Sequence, residues 1–116
     1  MPRGNVYFVT LPPPPGGQGR EQSGYRPVVV ISSDQSASAN PMALVVPLTS
    51  KLGALRFPHS VRIQPSSQNG LSQTSVAMVF QLLAMDKTRL RQPAGSLESD
   101  YLVEIENELR SILELG

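Results

Sequence analysis

Four consecutive β-branched residues, Val28, Val29, Val30 and Ile31, stand inside the segment Pro27 to Ser33. An unbroken run of this kind reads as a strand buried on both faces rather than as one side of an amphipathic element. Other short apolar stretches surround it. Asn5 to Leu11 alternates in the manner of a strand, Met42 to Leu48 is a third, and Pro58 to Ile63 alternates through Val61 and Ile63. Ser75 to Leu83 reads as one longer strand, with Val76, Met78, Phe80 and Leu82 on one face. Between them lie turn-forming segments. Four prolines begin the stretch Pro12 to Gly19, Leu11 to Tyr25 reads as a long exposed loop, and Asp34 to Asn40 is a polar connection. Lys51 to Arg56 is a polar link, and Asn69-Gly70 marks a tight reversal within Gln64 to Gln73. Asp86 to Leu90 reads as a single turn, and Pro93 breaks the chain after it.

The period changes at the C-terminus. Leu102, Ile105, Leu109, Ile112 and Leu113 recur at three- and four-residue spacing, which predicts an amphipathic helix. Ser96 or Ser99 is placed to cap it, and Glu98 and Asp100 suit its N-terminal dipole. About five short strands followed by one helix predict a mainly β, α+β domain, a small antiparallel barrel with the helix over an open side. A chain of 116 residues is one domain, 1–116, and long enough to bury a core without disulfides. No run is apolar enough for a signal peptide or a bilayer span, so a soluble cytoplasmic protein is expected.

The residue inventory excludes most catalytic chemistries. With no cysteine there is no thiol nucleophile and no thiolate metal site, and with one histidine there is no two-histidine acid–base pair within a chain. No phosphate-binding glycine loop, nucleophile elbow or His/carboxylate cluster with metal spacing is present. An enzyme of this composition relies on Arg, Thr, Ser, Glu, Tyr or backbone groups. It therefore suits a substrate that brings its own nucleophile, as RNA does with its 2′-hydroxyl. Charge points the same way. Residues 1–97 hold nine Lys/Arg against three Asp/Glu, a net +6, while residues 98–116 hold one Arg against six acids, a net −5. A basic body suits a phosphate-bearing ligand, although a soluble surface with an acidic helix has the same signature.

Arg26, at the entrance of the buried strand, is either a bidentate phosphate ligand or a structural arginine. Thr49 either points a hydroxyl into a cleft or simply ends a strand, and Ser50 and Lys51 add a donor and a positive charge after it. Glu21, within Arg20-Glu21-Gln22, is a general base or a solvated loop residue. His59 either assists proton transfer or sits on the surface. Gln81 bonds a base edge or a loop backbone. Tyr7, Tyr25 and Phe57 stack on unpaired bases or pack in the core.

Ordered motifs then resemble one family. Arg3-Gly4-Asn5-Val6-Tyr7 is similar to the opening of MazF/PemK-type toxins. Gly19 through Ser32, containing Glu21-Gln22 and Arg26-Pro27-Val28-Val29-Val30, is similar to their next block. Pro47-Leu48-Thr49-Ser50-Lys51, Phe57-Pro58 with Val61, Gly70-Leu71, Ser75-Val76-Ala77, Gln81 and Asp86-Lys87-Thr88-Arg89-Leu90 follow in order. The resemblance covers nearly the whole chain. It implies an SH3-like barrel of about five to seven strands, usually a homodimer. It implies cleavage of single-stranded RNA such as mRNA without metal or cofactor, leaving a 2′,3′-cyclic phosphate and a 5′-hydroxyl. Arg26 and Thr49 then carry the catalytic roles, with Glu21 beside them. Arg20, Gln22, Tyr25, Ser50, Lys51, His59 and Gln81 are the candidate RNA-binding residues. A MazE-like antitoxin with an acidic, flexible C-terminal segment is the implied partner. The chain departs from the family in its proline-heavy loop at Pro12 to Gly19 and in Phe80-Gln81-Leu82-Leu83, where an acid and an arginine are usual. Two alternatives stand beside this reading: a CcdB-like gyrase poison, whose aromatic C-terminal ending is missing here, and a catalytically weak binding module of the same fold.

Overall fold

Val28, Val29 and Val30 are completely buried because packed side chains cover both faces of their strand. The computed structural model describes residues 2–12, 24–33 and 40–116 of the chain. Among the described residues seven strands precede one helix: β1 (Asn5–Leu11), β2 (Gly24–Val30), β3 (Met42–Thr49), β4 (Ser60–Ile63), β5 (Ser75–Met78), β6 (Leu83–Asp86), β7 (Pro93–Ser96) and α1 (Ser99–Ile112). Short 3-10 turns occupy Leu52–Arg56, Val79–Gln81 and Lys87–Arg89. The strands run antiparallel in the order β4-β5-β3-β2-β1-β7, with β6 also on β3, and the sheet curls into a half-barrel.

Register sorts the side chains into two cores. Val6 lies opposite Val29 and Val29 opposite Val46, so these three share a face with Leu48, Val61, Ile63 and Ala77. Ile105 of α1, fully buried, closes that face, with Leu102 and Leu109 beside it. The alternate residues Tyr7, Val9, Val28, Val30 and Val45 pack on the other face with Met85 and Leu90. Each fully buried valine contributes about 1.5–3 kcal/mol through removal from water. Of the expected apolar stripe only Ile105 is buried; Leu102 and Leu109 are half-buried, and Ile112 and Leu113 stay exposed.

The expected strand Ser75 to Leu83 is in fact two strands. β5 pairs with the end of β3 (Leu48↔Ala77, Thr49↔Val76) and β6 with its beginning (Met42↔Asp86, Val45↔Leu83). The turn Val79–Gln81 makes the step between them, anchored by the Val79 N–H on the His59 carbonyl at 3.1 Å. Because of that turn, Val79 and Leu82 enter the same core, while Phe80 projects outward onto Phe57, ring centroids 5.7 Å apart. Strict alternation would have placed Phe80 with Leu82. Pro93 likewise does not break the fold. It is the first residue of β7, at the sheet edge on β1, where a missing N–H costs no ladder bond.

The helix start also differs from expectation. Glu98, not a serine, is the N-cap, and its side chain makes no cap bond. Its carboxylate instead accepts from the Ser66 hydroxyl at 2.6 Å and from Asn69 Nδ2 at 3.0 Å. Asn69 is fully buried and its bonds are met on all sides. Its Oδ1 accepts from the Ser66 and Leu71 amides, and its Nδ2 also donates to the Gln64 carbonyl. The reversal expected at Asn69-Gly70 is present, with Gly70 at φ +74°. This loop lies flat against β7, so close that a Cβ on Gly95 would sit 2.5 Å from the Gln68 carbonyl oxygen. The acids of α1 reach back to the barrel through the ion pair Arg3–Glu106 and the hydrogen bond between His59 Nδ1 and Glu108 Oε1, 2.9 Å. Among the described residues no helix is long and apolar enough to cross a membrane.

Two outcomes follow from this packing. Gly95→Ala is expected to destabilise the domain by about 2–3 kcal/mol, because backbone rather than a flexible side chain must give way. Gly53→Ala, with open space around it, serves as the near-neutral control in urea unfolding. Burial opposes ionisation of Glu98, but the hydrogen bonds from Ser66, its own backbone amide and Asn69 outweigh it and hold the carboxyl below its ordinary range. A carboxyl that titrates lower in the folded state stabilises fully above the unfolded value and loses that contribution as pH falls through the folded one. Urea midpoints from ~pH 7 to ~pH 3 are therefore expected to fall less steeply for Glu98→Gln than for the parent.

Candidate functional site

A groove opens where the ladder between β2 and β3 ends. The last pair is Val28↔Pro47. Pro27 and Pro47 have no N–H to donate, so the hydrogen-bonded ladder gives out there. Arg26 lies two residues before Val28 and Thr49 two residues after Pro47, so both stand in step at the open end and, by alternation, on one face. Arg26 itself stays fixed on its other side, paired with Val9 of β1.

Phe8, Tyr25, Arg26 and Pro27 form one wall of the groove, and Ser50, Leu71, Ser72, Gln73 and Ser75 the other, around about 140 Å³. Arg26 is half-buried, and Ser50 is exposed. Thr49 is only 3% exposed. Its hydroxyl accepts from the Lys51 amide at 3.2 Å and so shapes the backbone that carries Ser50 into the groove. Lys51 is exposed beside it. Tyr25, 68% exposed, stacks on Phe8 with centroids 5.7 Å apart and planes 26° apart. Among the described residues the lining offers a guanidinium, three serine hydroxyls, a phenol and an amide, with no carboxylate or histidine, a set of donors suited to an anion.

The remaining candidates separate from this cluster. His59 does not line the groove: it takes a left-handed backbone, φ 63°, and turns its ring to Glu108 on α1. Gln81 sits in the turn after β5, its amide 3.9 Å from the Met78 sulfur, and does not line the groove either. Tyr7 is a core residue, and Phe57 packs on Phe80 with the Arg56 guanidinium 4.9 Å above its ring. Arg20, Glu21 and Gln22 lie outside the described residues. Sequence reasoning missed Phe8, Ser72, Gln73 and Ser75. Phe8 carries only the faint signal of its register with Pro27, and the other three are brought across by the loop before β5. Among the described residues no group of three or more His, Asp or Glu is placed to hold a metal ion.

Residues 2–113 match the family described as PemK-like, MazF-like toxin of type II toxin-antitoxin system. The chain belongs to that family. A relative named endoribonuclease MazF, from Staphylococcus saprophyticus, is 33% identical over 109 residues, covering 94% of this chain and 88% of that protein. The fold is shared with MazF from Deinococcus radiodurans, TM-score 0.78 at 22% identity, covering 99% of this chain and 97% of the other. It is shared too with an endoribonuclease from a mycobacterial species in complex with its cognate antitoxin, TM-score 0.76 at 22% identity over 100% of this chain and 97% of that one. At the two positions of this PemK/MazF-family chain where the sequence resemblance led to the expectation of an acid and an arginine, Phe80 packs on Phe57 and Leu83 on the second core.

Thr49 has a structural role that can be measured apart from any reaction. Thr49→Val is expected to lower stability by about 1 kcal/mol through loss of the acceptor for the Lys51 amide. Thr49→Ser, which keeps the oxygen, is expected to retain most of that bond in urea unfolding.

Proposed function

We propose that this chain is the toxin of a type II toxin–antitoxin pair and an endoribonuclease that cuts single-stranded RNA without a metal. The observation that carries this reading is Arg26, fixed on β2 and turned into a donor-lined groove. The relative named endoribonuclease MazF supports it. The 2′-oxygen of one ribose attacks the adjacent phosphorus as its proton passes to a base. The bond to the 5′-oxygen of the next nucleotide breaks, and that oxygen takes up a proton. The products are a 2′,3′-cyclic phosphate and a 5′-hydroxyl.

The forked guanidinium of Arg26 matches two equatorial oxygens of the phosphorane, whose charge develops only at the transition state. Ser50 adds a hydroxyl donor, and Thr49 holds Ser50 in place through the Lys51 amide. Glu21, the one carboxylate before Asp34 in the sequence, is assigned as base. Tyr25 offers an exposed ring for an unpaired base, and Lys51 a charge for a neighbouring phosphate. The partner we assign is an acidic antitoxin segment competing for the same groove, as the mycobacterial relative in complex with its cognate antitoxin suggests. A second copy of the chain is assigned to the apolar face at Met42, Leu44 and Ala84, and the cytoplasm as the site of action.

Arg26→Ala is expected to lower cleavage of a long, varied RNA by about 10²–10³-fold or more, in a protein that thermal melting shows is still folded. Cleavage by the parent is expected to persist in a chelator and to leave cyclic-phosphate ends. A folded Arg26→Ala protein that still cuts at the parental rate refutes the assignment.

A further inference from the structure

The Phe8–Tyr25 stack lines more than the Arg26 groove. It also lines a cleft of about 400 Å³ whose remaining lining is Arg89, Arg91, Gln92, Pro93 and Ala94. Both arginines are exposed, and among the described residues no carboxylate lines this cleft. Arg89 is held in place from two directions. Its guanidinium donates to the Thr10 carbonyl on β1. Its backbone belongs to the turn Lys87–Arg89, which Asp86 caps by accepting from the Thr88 amide at 2.9 Å and the Thr88 hydroxyl at 2.8 Å. A ring two-thirds exposed to water, with one anchored guanidinium and a second exposed one in the same cleft, is the combination that takes an unpaired base on its face and the attached phosphate on its edge.

We propose that the Arg89–Arg91 cleft is a second nucleotide subsite, which holds a base against Tyr25 and its phosphate against the two guanidiniums. The same RNA strand passes from there across the stack into the Arg26 groove. This rests on reading the Arg26 groove as an RNA site, and it extends the contact from one phosphate to at least two. An acidic peptide would satisfy the arginines but leave the aromatic face without a use, so single-stranded RNA is the better match.

The test is equilibrium binding of the full chain to a mixed-sequence 2′-O-methyl RNA 12-mer, which cannot be cut, over a range of salt concentrations. Arg91→Ala and Arg89→Gln are compared with the parent. Arg110→Ala, which removes the same charge from the exposed side of α1, serves as control. Arg91→Ala is expected to weaken binding about 5- to 10-fold and to reduce the slope of log affinity against log salt by about 0.7, the value for one lost phosphate contact on a single strand. Arg89→Gln is expected to act in the same direction, and Arg110→Ala to stay within about twofold of the parent. Thermal melting confirms that each variant is folded. Parental affinity and slope in both cleft variants overturn the subsite while leaving the RNA-cleaving function standing. Equal weakening by Arg110→Ala overturns it as general charge attraction. Weakened binding of a polyglutamate peptide with unchanged RNA binding assigns the cleft to an acidic partner and overturns it as well. A parent chain that neither binds this RNA nor cuts an unmodified one removes both the subsite and the function on which it rests.

Discussion

The ladder of hydrogen bonds between β2 and β3 holds while valines face each other and ends at Val28↔Pro47. On one side of that boundary the chain is committed to burial, with Val28, Val29 and Val30 wholly removed from water. On the other side the same two strands emerge without a ladder between them, carrying Tyr25 and Arg26 on one and Thr49 and Ser50 on the other. Rigidity and openness thus meet within two residues. A guanidinium that must meet a phosphate at a fixed angle benefits from that arrangement, because its backbone is held by the β1 ladder while its head group reaches a groove.

The second wall of the groove depends on a different device. Leu71, Ser72 and Gln73 belong to a loop with no strand partner of its own, yet it is held by a buried asparagine. Asn69 ties the loop to itself through the Ser66 and Leu71 amides and to the start of α1 through Glu98. Gly70 and Gly95 allow the loop to settle against β7 without a Cβ between them. The helix is therefore more than a lid on the open barrel: its first residues position one side of the site. Stability and site geometry share the same few hydrogen bonds.

Charge is distributed to the same end. The acids that dominate the last nineteen residues are spent in part as tethers, Glu106 on Arg3 and Glu108 on His59, and Glu98 on the Asn69 loop. Among the described residues neither the Arg26 groove nor the neighbouring cleft has a carboxylate in its lining. Segregating the acids onto the helix leaves a basic face for a polyanion within a chain whose net charge is only +1.

How much of this was legible beforehand depends on whether the signal was local. The doubly buried strand, the amphipathic helix, the Asn69-Gly70 reversal and Arg26 beside its β-branched run all follow from neighbours in sequence. In these cases side-chain periodicity and turn chemistry act over a few residues. The division of Ser75 to Leu83 was not legible, because it depends on β3 offering its two halves to two different strands. For the same reason Pro93 reads as a breaker in sequence and becomes an edge strand in the fold. Glu98 looks like a residue for the helix dipole and serves as an anchor for a distant loop. His59 and Gln81 have suitable chemistry, but tertiary packing turns one to the helix and leaves the other in a turn outside the groove. Sequence alone determined the elements, the exclusions and the arginine, since those rest on covalent neighbours and composition. Only the tertiary structure decided which serines, which aromatic stack and which further arginines surround it, because those meet through contacts between residues tens of positions apart.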